Sequence, residues 1–218
     1  MEIIEHEPEI EKGFGYFLAT TISYLFHPLF IPSFGLWLIF HTHSYINFVI
    51  PSDLQKALYI VVFIATFVFP FLSALLLLSL GRIRSLEMES PEERRTLYLL
   101  TAIYYLLGYY VLVSKVSLPQ QINILLLGAN AVILLTLIVN LVWKISAHAI
   151  GIGGLTGALL GFSNQLHVNV LPELILVFLI AGFIGYSRLR LKAHIPSQVY
   201  AGYLLGFFCE FLLFNAST

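Results

Sequence analysis

Long apolar segments follow one another along most of this chain. Each must satisfy its own backbone hydrogen bonds if it lies in lipid, and the alternating pattern of a membrane β-barrel is absent, so helices are expected. The sequence therefore predicts an all-α fold, a polytopic membrane helical bundle of about six or seven transmembrane helices. Seven segments are long enough to cross a hydrocarbon core of ~30 Å as helices: residues 16–40, 55–80, 97–114, 121–143, 148–164, 171–187 and 198–216.

Composition supports this interpretation. The 218 residues are 59% hydrophobic and only 11% charged, against roughly 25% charged in soluble domains. No linker or internal repeat divides the chain, so we expect a single integral membrane domain over residues 1–218. The single cysteine permits no internal disulfide, and no basic patch with interleaved aromatic residues indicates a nucleic-acid partner.

Three polar breaks, at 81–95, 143–148 and 187–198, are separated by two predicted spans each time. They should therefore emerge on the same face of the membrane. Nine of the eleven Lys and Arg residues fall on that face, and the positive-inside rule would make it cytoplasmic. Active-site cations would produce the same bias, however, so the count does not decide the orientation by itself.

Two of these breaks place histidine beside fixed cations and a helix start. Lys144, Ser146 and His148 precede a glycine-rich apolar segment, and Ser146 is positioned to cap the helix that follows. In the third break, His194 lies at the entrance of the last span, six residues after Arg188. Helix N-termini and cations both favour anions, so the pattern predicts a phosphate site. The alternative is that these basic residues are interfacial anchors and the histidines structural.

The spacing resembles that of the type 2 phosphatidic acid phosphatase (PAP2) superfamily over about residues 81–206. Ser187-Arg188, five residues, His194, three residues and Gln198 are similar to the third signature, S-R-x5-H-x3-D. Ser146-Ala147-His148 is similar to the S-G-H of the second signature, P-S-G-H. The first signature, K-x6-R-P, would end at Arg94 or Arg95.

The departures from the family pattern are specific. Glu87 and Met88 stand at the two positions where the first-signature lysine would fall, and Thr96 replaces its proline. Ile145 replaces the proline of the second signature and Ala147 its glycine. The most consequential change is Gln198, which stands where the family has aspartate.

The resemblance implies a divergent bacterial membrane phosphatase that hydrolyses a lipid-borne phosphate or diphosphate without a metal or another cofactor. Its substrate would be a lipid phosphate or an isoprenyl diphosphate held within the membrane lipid. His194 would be the nucleophile that forms a phosphohistidine, His148 the acid that protonates the leaving oxygen, and Gln198 the residue that orients His194. The phosphate-binding residues would be Arg94, Arg95, Lys144, Ser146, Ser187 and Arg188.

Two questions remain open at this point. The neutral Gln198 and the missing lysine favour an alternative, a weak or inactive PAP2-like protein that binds a lipid head group or serves as a subunit of a larger membrane complex. The resemblance also implies a site on the periplasmic face of a bacterial inner membrane, opposite to the charge count. We expect the periplasmic orientation.

Two further features concern packing. His27 lies within the first span in the segment FHPLFIP, where proline predicts a broken helix that could line a cavity; packing is the favoured role for the histidine. The glycines of the segment GIGGLTGALLG predict close helix packing of the small-xxx-small kind.

Overall fold

The computed structural model describes residues 13–86 and 91–217, and the protein is all-α, with no strand in these ranges. A 3₁₀ turn, Pro28–Phe30, separates α1 from α2, and a π-helical segment, Ile64–Val68, separates α4 from α5. The helices are α1 (Phe14–Leu25), α2 (Ile31–His41), α3 (Ile46–Val49), α4 (Ser52–Phe63), α5 (Phe69–Ser79), α6 (Pro91–Lys115), α7 (Gln120–Val139), α8 (Ala147–Leu166), α9 (Leu171–Arg190) and α10 (Pro196–Ala216).

Within the described residues, six helical segments are long and apolar enough to cross a membrane. This confirms the prediction of a polytopic, integral membrane bundle. The segments are Phe14–His41, Ser52–Ser79, Glu93–Lys115, Gln120–Val139, Leu171–Arg190 and Pro196–Ala216.

The seventh predicted span, 148–164, forms α8 but is not among the six. Its 20 residues would extend about 30 Å, so length does not set it apart; its glycines and polar residues lower its hydropathy. α8 packs against α7, α9 and α10, and more than half of its residues are buried. A helix enclosed by other helices needs no apolar surface for lipid, so its sequence is less hydrophobic than that of its neighbours.

α8 and α10 approach each other so closely that glycine is required at the contact. A Cβ atom at Gly153 would overlap the backbone carbonyl of Tyr203, and one at Gly157 would overlap that of Phe207. From the other side, a Cβ at Gly206 would overlap the carbonyl of Ile150. The small-residue packing predicted from the sequence is therefore confirmed, and it fixes the N-terminus of α8 beside that of α10.

The first span is broken, as the sequence predicted. Pro28 disfavours the helical conformation for the residue before it, and His27 is extended, with φ −62° and ψ 137°. The break packs against the π-helical segment of the second span, where the Thr66 hydroxyl donates to the Leu29 carbonyl oxygen at 3.3 Å. Pro70, which lacks a backbone N–H, accounts for the nearby irregularity in that span.

The three polar breaks meet at one end of the bundle, as counting the spans predicted. Arg95, in the first turn of α6, donates from Nη2 to the Leu141 carbonyl oxygen after α7, at 3.0 Å. The Ser146 N–H, before α8, donates to the Gln198 carbonyl oxygen in the first turn of α10. We call this end of the bundle the site end.

The glycine contact predicts opposite effects for the same substitution at two positions. Gly157→Ala should lower the free energy of unfolding by about 1–3 kcal/mol, because the new methyl group forces α8 and α10 apart. Gly182→Ala is the matched control, because a Cβ there has no atom within 4 Å, and it should be neutral or stabilising by up to about 1 kcal/mol. Thermal unfolding in detergent measures both; equal effects of the two would contradict the packing described.

Candidate functional site

His194 lies in the short connection between α9 and α10, and Gln198 fixes its ring. Gln198 Oε1 lies 3.0 Å from His194 Nδ1 and also accepts the Ile195 backbone N–H at 3.3 Å. Because a backbone N–H only donates, the Gln198 atom at this position is the oxygen, and Nδ1 of His194 must carry the hydrogen. Nε2 of neutral His194 therefore holds the lone pair.

Gln198 also joins α10 to the start of α8. Its backbone carbonyl oxygen accepts the Ser146 N–H at 3.3 Å. The Ser146 hydroxyl, fully buried, accepts the Ala149 N–H at 3.4 Å and so caps α8. The capping role expected of Ser146 is confirmed, and a single residue, Gln198, connects the two candidate histidine segments.

His148, in the first turn of α8, is held by the first span. Its Nε2 lies 3.1 Å from the Ser23 carbonyl oxygen. A carbonyl oxygen only accepts, so Nε2 carries the hydrogen and Nδ1 of the neutral ring has a lone pair. Nδ1 is thus the nitrogen of His148 left for acid and base chemistry.

Ser23 also receives the guanidinium of Arg188. Arg188 Nη1 donates to the Ser23 hydroxyl oxygen at 2.6 Å, so the last turn of α9, the end of α1 and the start of α8 meet at one residue. Ser187, the neighbour of Arg188, is fully buried, and its hydroxyl donates to the Ala19 carbonyl oxygen at 2.6 Å. That hydroxyl therefore joins α9 to α1, and the structure does not bring it to the other predicted phosphate ligands.

The remaining predicted cations differ in burial and in hydrogen-bond partners. Arg94 is buried, 7% exposed, whereas Arg95 directs Nη2 to the Leu141 carbonyl oxygen. Lys144 is exposed at the site end. Of the two arginines left open by the sequence, Arg94 fits the site better, because its charge acts on His194.

Glu87 and Met88, where the family's lysine would fall, lie outside the described residues.

Burial and neighbouring cations act on the His194 imidazole. Burial is the largest effect and the Arg188 charge the next, and together with the weaker charges of Lys144 and Arg94 they lower the pKa of His194 to about 4, although the Gln198 hydrogen bond opposes the shift. A positive charge on this ring is disfavoured in a partly dry, cationic environment. His194 is consequently neutral at neutral pH, with its Nε2 lone pair available.

Sequence reasoning missed part of the site. Ser23 was not among the candidates, and His27 was assigned to packing, but the His27 and His148 ring centroids are 5.4 Å apart with the ring planes at 75°. The signal in the sequence was the break itself, since irregular backbone within a membrane segment occurs where it is enclosed by protein or lines a cavity.

Comparisons with protein-family models, with curated proteins and with solved structures found no match. Within the described residues, no group of three His, Cys, Asp or Glu side chains is arranged to hold a metal ion.

The low pKa of His194 predicts its titration. Its ¹³Cε1 NMR signal in detergent, assigned by difference from His194→Gln, should titrate with a midpoint near 4 instead of the ordinary 6.5. Arg188→Gln should raise that midpoint, because one of the charges that disfavour protonation is lost. Since unfolded His194 takes up its proton near pH 6.5, acidification from there to about 4 should also destabilise the fold. A midpoint at the ordinary value, unchanged by Arg188→Gln, would contradict this electrostatic description.

Proposed function

We propose that this protein is a PAP2-like membrane phosphatase that hydrolyses a lipid-borne phosphate or diphosphate through a phosphohistidine on His194. The observation that carries the proposal is the pair of hydrogen bonds to Gln198 Oε1, which leaves Nε2 of a neutral His194 as a nucleophile among cations. A positioned, unprotonated imidazole is what attack on phosphorus requires.

In the first step, His194 Nε2 forms a bond to phosphorus and the bond from phosphorus to the leaving oxygen breaks. As the substrate binds, Nδ1 of His148 takes the proton of the phosphate monoanion. The leaving oxygen then takes that proton from Nδ1, while Nε2–H of the same ring stays on the Ser23 carbonyl oxygen. In the second step, water attacks phosphorus, its proton passes to His148 Nδ1, and the bond to His194 breaks. His148 thus regains the proton that it gave to the leaving oxygen and can return it to the phosphate product.

The phosphoryl oxygens would lie among Arg188, Lys144, Arg94 and the first turn of α8. The N–H groups of that turn have no acceptor within their own helix, and the helix dipole adds positive potential. Negative charge that develops during phosphoryl transfer would therefore be stabilised by groups already in place. Because the site is at the end of helices that cross the membrane, a substrate anchored in the bilayer would need no displacement into water.

A second candidate function is favoured by Gln198. Its amide oxygen orients His194 as an aspartate would but brings no negative charge, so the cationic form of the imidazole is less stabilised during the reaction. The protein would then bind a lipid head group, or serve as a subunit of a membrane complex, with little or no turnover. A phosphatase and a head-group binder would hold an anion at the same residues and differ in the rate of turnover.

A turnover series separates the two functions. Purified wild type, His194→Ala, Gln198→Asp and Gln198→Leu are compared for phosphate release, without added metal, from a panel of short-chain lipid phosphates and diphosphates. We expect measurable release by wild type and none by His194→Ala. Gln198→Asp should be about tenfold faster or more, with the ~10⁴-fold effect of the equivalent neutral replacement in a serine protease as an upper bound.

Gln198→Leu should abolish the basal rate, since it removes the acceptor that orients His194 while keeping the size of the side chain. Equal release by wild type and His194→Ala on every substrate would overturn the enzymatic proposal. If a folded Gln198→Asp were as slow as His194→Ala, the orienting role of Gln198 would be wrong.

We also propose that the site end lies on the periplasmic side of a bacterial inner membrane. In a Cys209→Ala background, Ser197→Cys and Ser117→Cys place single thiols at exposed positions at opposite ends of the bundle. An impermeant maleimide should label Ser197→Cys in intact spheroplasts and Ser117→Cys only after permeabilisation. The reverse pattern would mean that the positive-inside rule gives the correct orientation.

A further inference from the structure

His27 occupies the break in the first span at the level of the candidate site. The backbone conformation that Pro28 imposes ends α1 at Leu25 and makes His27 the N-cap of the 3₁₀ turn Pro28–Phe30. α8 passes directly beside this turn, because a Cβ atom at Gly151 would lie 3.7 Å from Pro28. The broken segment therefore forms one wall beside the first turn of α8.

The tautomer of His27 follows from its capping role. Its Nδ1 accepts the Leu29 backbone N–H at 3.4 Å, so neutral His27 carries its hydrogen on Nε2. Nε2–H makes no hydrogen bond to any residue within 13–86 and 91–217. His27 thus presents a donor whose acceptor is not supplied by the described part of the protein.

The ring of His27 lies against groups already placed in the site. Its centroid is 5.4 Å from that of His148. His148 is bonded to the carbonyl oxygen of Ser23, and Arg188 to its hydroxyl. His27 therefore borders the proposed acid and base, which shares Ser23 with the arginine that would hold the phosphate.

We infer that His27 is a third histidine of the site, whose Nε2–H donates a hydrogen bond to an oxygen of the bound phosphate group. The inference rests on the proposed function and adds a substrate-binding residue to it. Anionic oxygens are strong acceptors for such a donor. The break in the first span then has a chemical consequence, since an unbroken helix would keep residue 27 in helical conformation and remove the cap that fixes this tautomer.

Three substitutions separate the possible roles of His27. His27→Gln keeps an N–H donor near the position of Nε2. His27→Asn keeps an oxygen that can accept the Leu29 N–H but does not reach as far as Nε2. His27→Phe keeps an aromatic ring against His148 without either nitrogen.

Two measurements are made on each variant of the full chain in detergent. One is the dissociation constant of inorganic phosphate, from the dependence of the melting temperature on phosphate concentration. The other is kcat and KM for phosphate release from dioctanoyl phosphatidic acid. The control is His41→Phe. The His41 ring stacks on Trp37 at the far end of α2, so this substitution should leave both measurements unchanged.

We expect His27→Gln to bind phosphate within about threefold of wild type, and His27→Asn and His27→Phe to bind it roughly 10–100-fold more weakly. If only His27→Asn kept the wild-type affinity for phosphate, His27 would be a cap; if His27→Phe kept it, His27 would be a packing residue. Either result overturns the inference. Unchanged affinity in all three variants, or equal weakening in all three, would also overturn it. If wild type neither bound phosphate nor released it from any lipid of the panel, the proposed function itself would fail, which is distinguishable from an effect confined to position 27.

Discussion

The backbone-to-backbone contact between α8 and α10 determines how the first turns of these two helices lie relative to each other. Glycine at 153, 157 and 206 lets the two helices approach until the carbonyls of one occupy the space of absent side chains on the other. This contact brings the Ser146 N–H to the Gln198 carbonyl oxygen. Without it, the cap of α8 and the orienting residue of His194 would belong to separate parts of the bundle.

The broken first span also helps to position the candidate groups, through hydrogen bonds from α1. α1 contributes the Ser23 carbonyl oxygen to His148 and the Ser23 hydroxyl to Arg188. Both bonds cross between segments far apart in the chain, so the end of α1, α8 and α9 fix one another. Buried hydrogen bonds of this kind limit the movement of the rings, and limited movement is what makes a donor or a nucleophile effective.

Composition was sufficient for six of the seven predicted spans, the number of spans between the polar breaks for their common face, and local sequence for the cap at Ser146. Three features depend on tertiary contacts and could not be derived in this way. Arg94 and Arg95 are adjacent on α6, and only the packing reveals that Arg95 turns to Leu141. The Ser187 hydroxyl is engaged by α1, and His27 lies beside His148 although 121 residues separate them.

In the proposed function, Gln198 would set the balance between binding an anion and transforming it. Within the described residues no carboxylate hydrogen-bonds to His194, so the positive potential of Arg188, Lys144 and Arg94 would act on a phosphate bound at the proposed site without an opposing charge at the imidazole. That arrangement favours the ground-state complex. The imidazole gains positive charge as it bonds to phosphorus, however, and the same cations then oppose the reaction. Interactions that stabilise substrate and transition state equally do not raise kcat. The repulsion between these cations and the imidazole would be stronger in the transition state than in the substrate complex, and would therefore lower kcat. In the proposed reaction, the neutral side chain of Gln198 would therefore favour retention of the phosphate over its transfer.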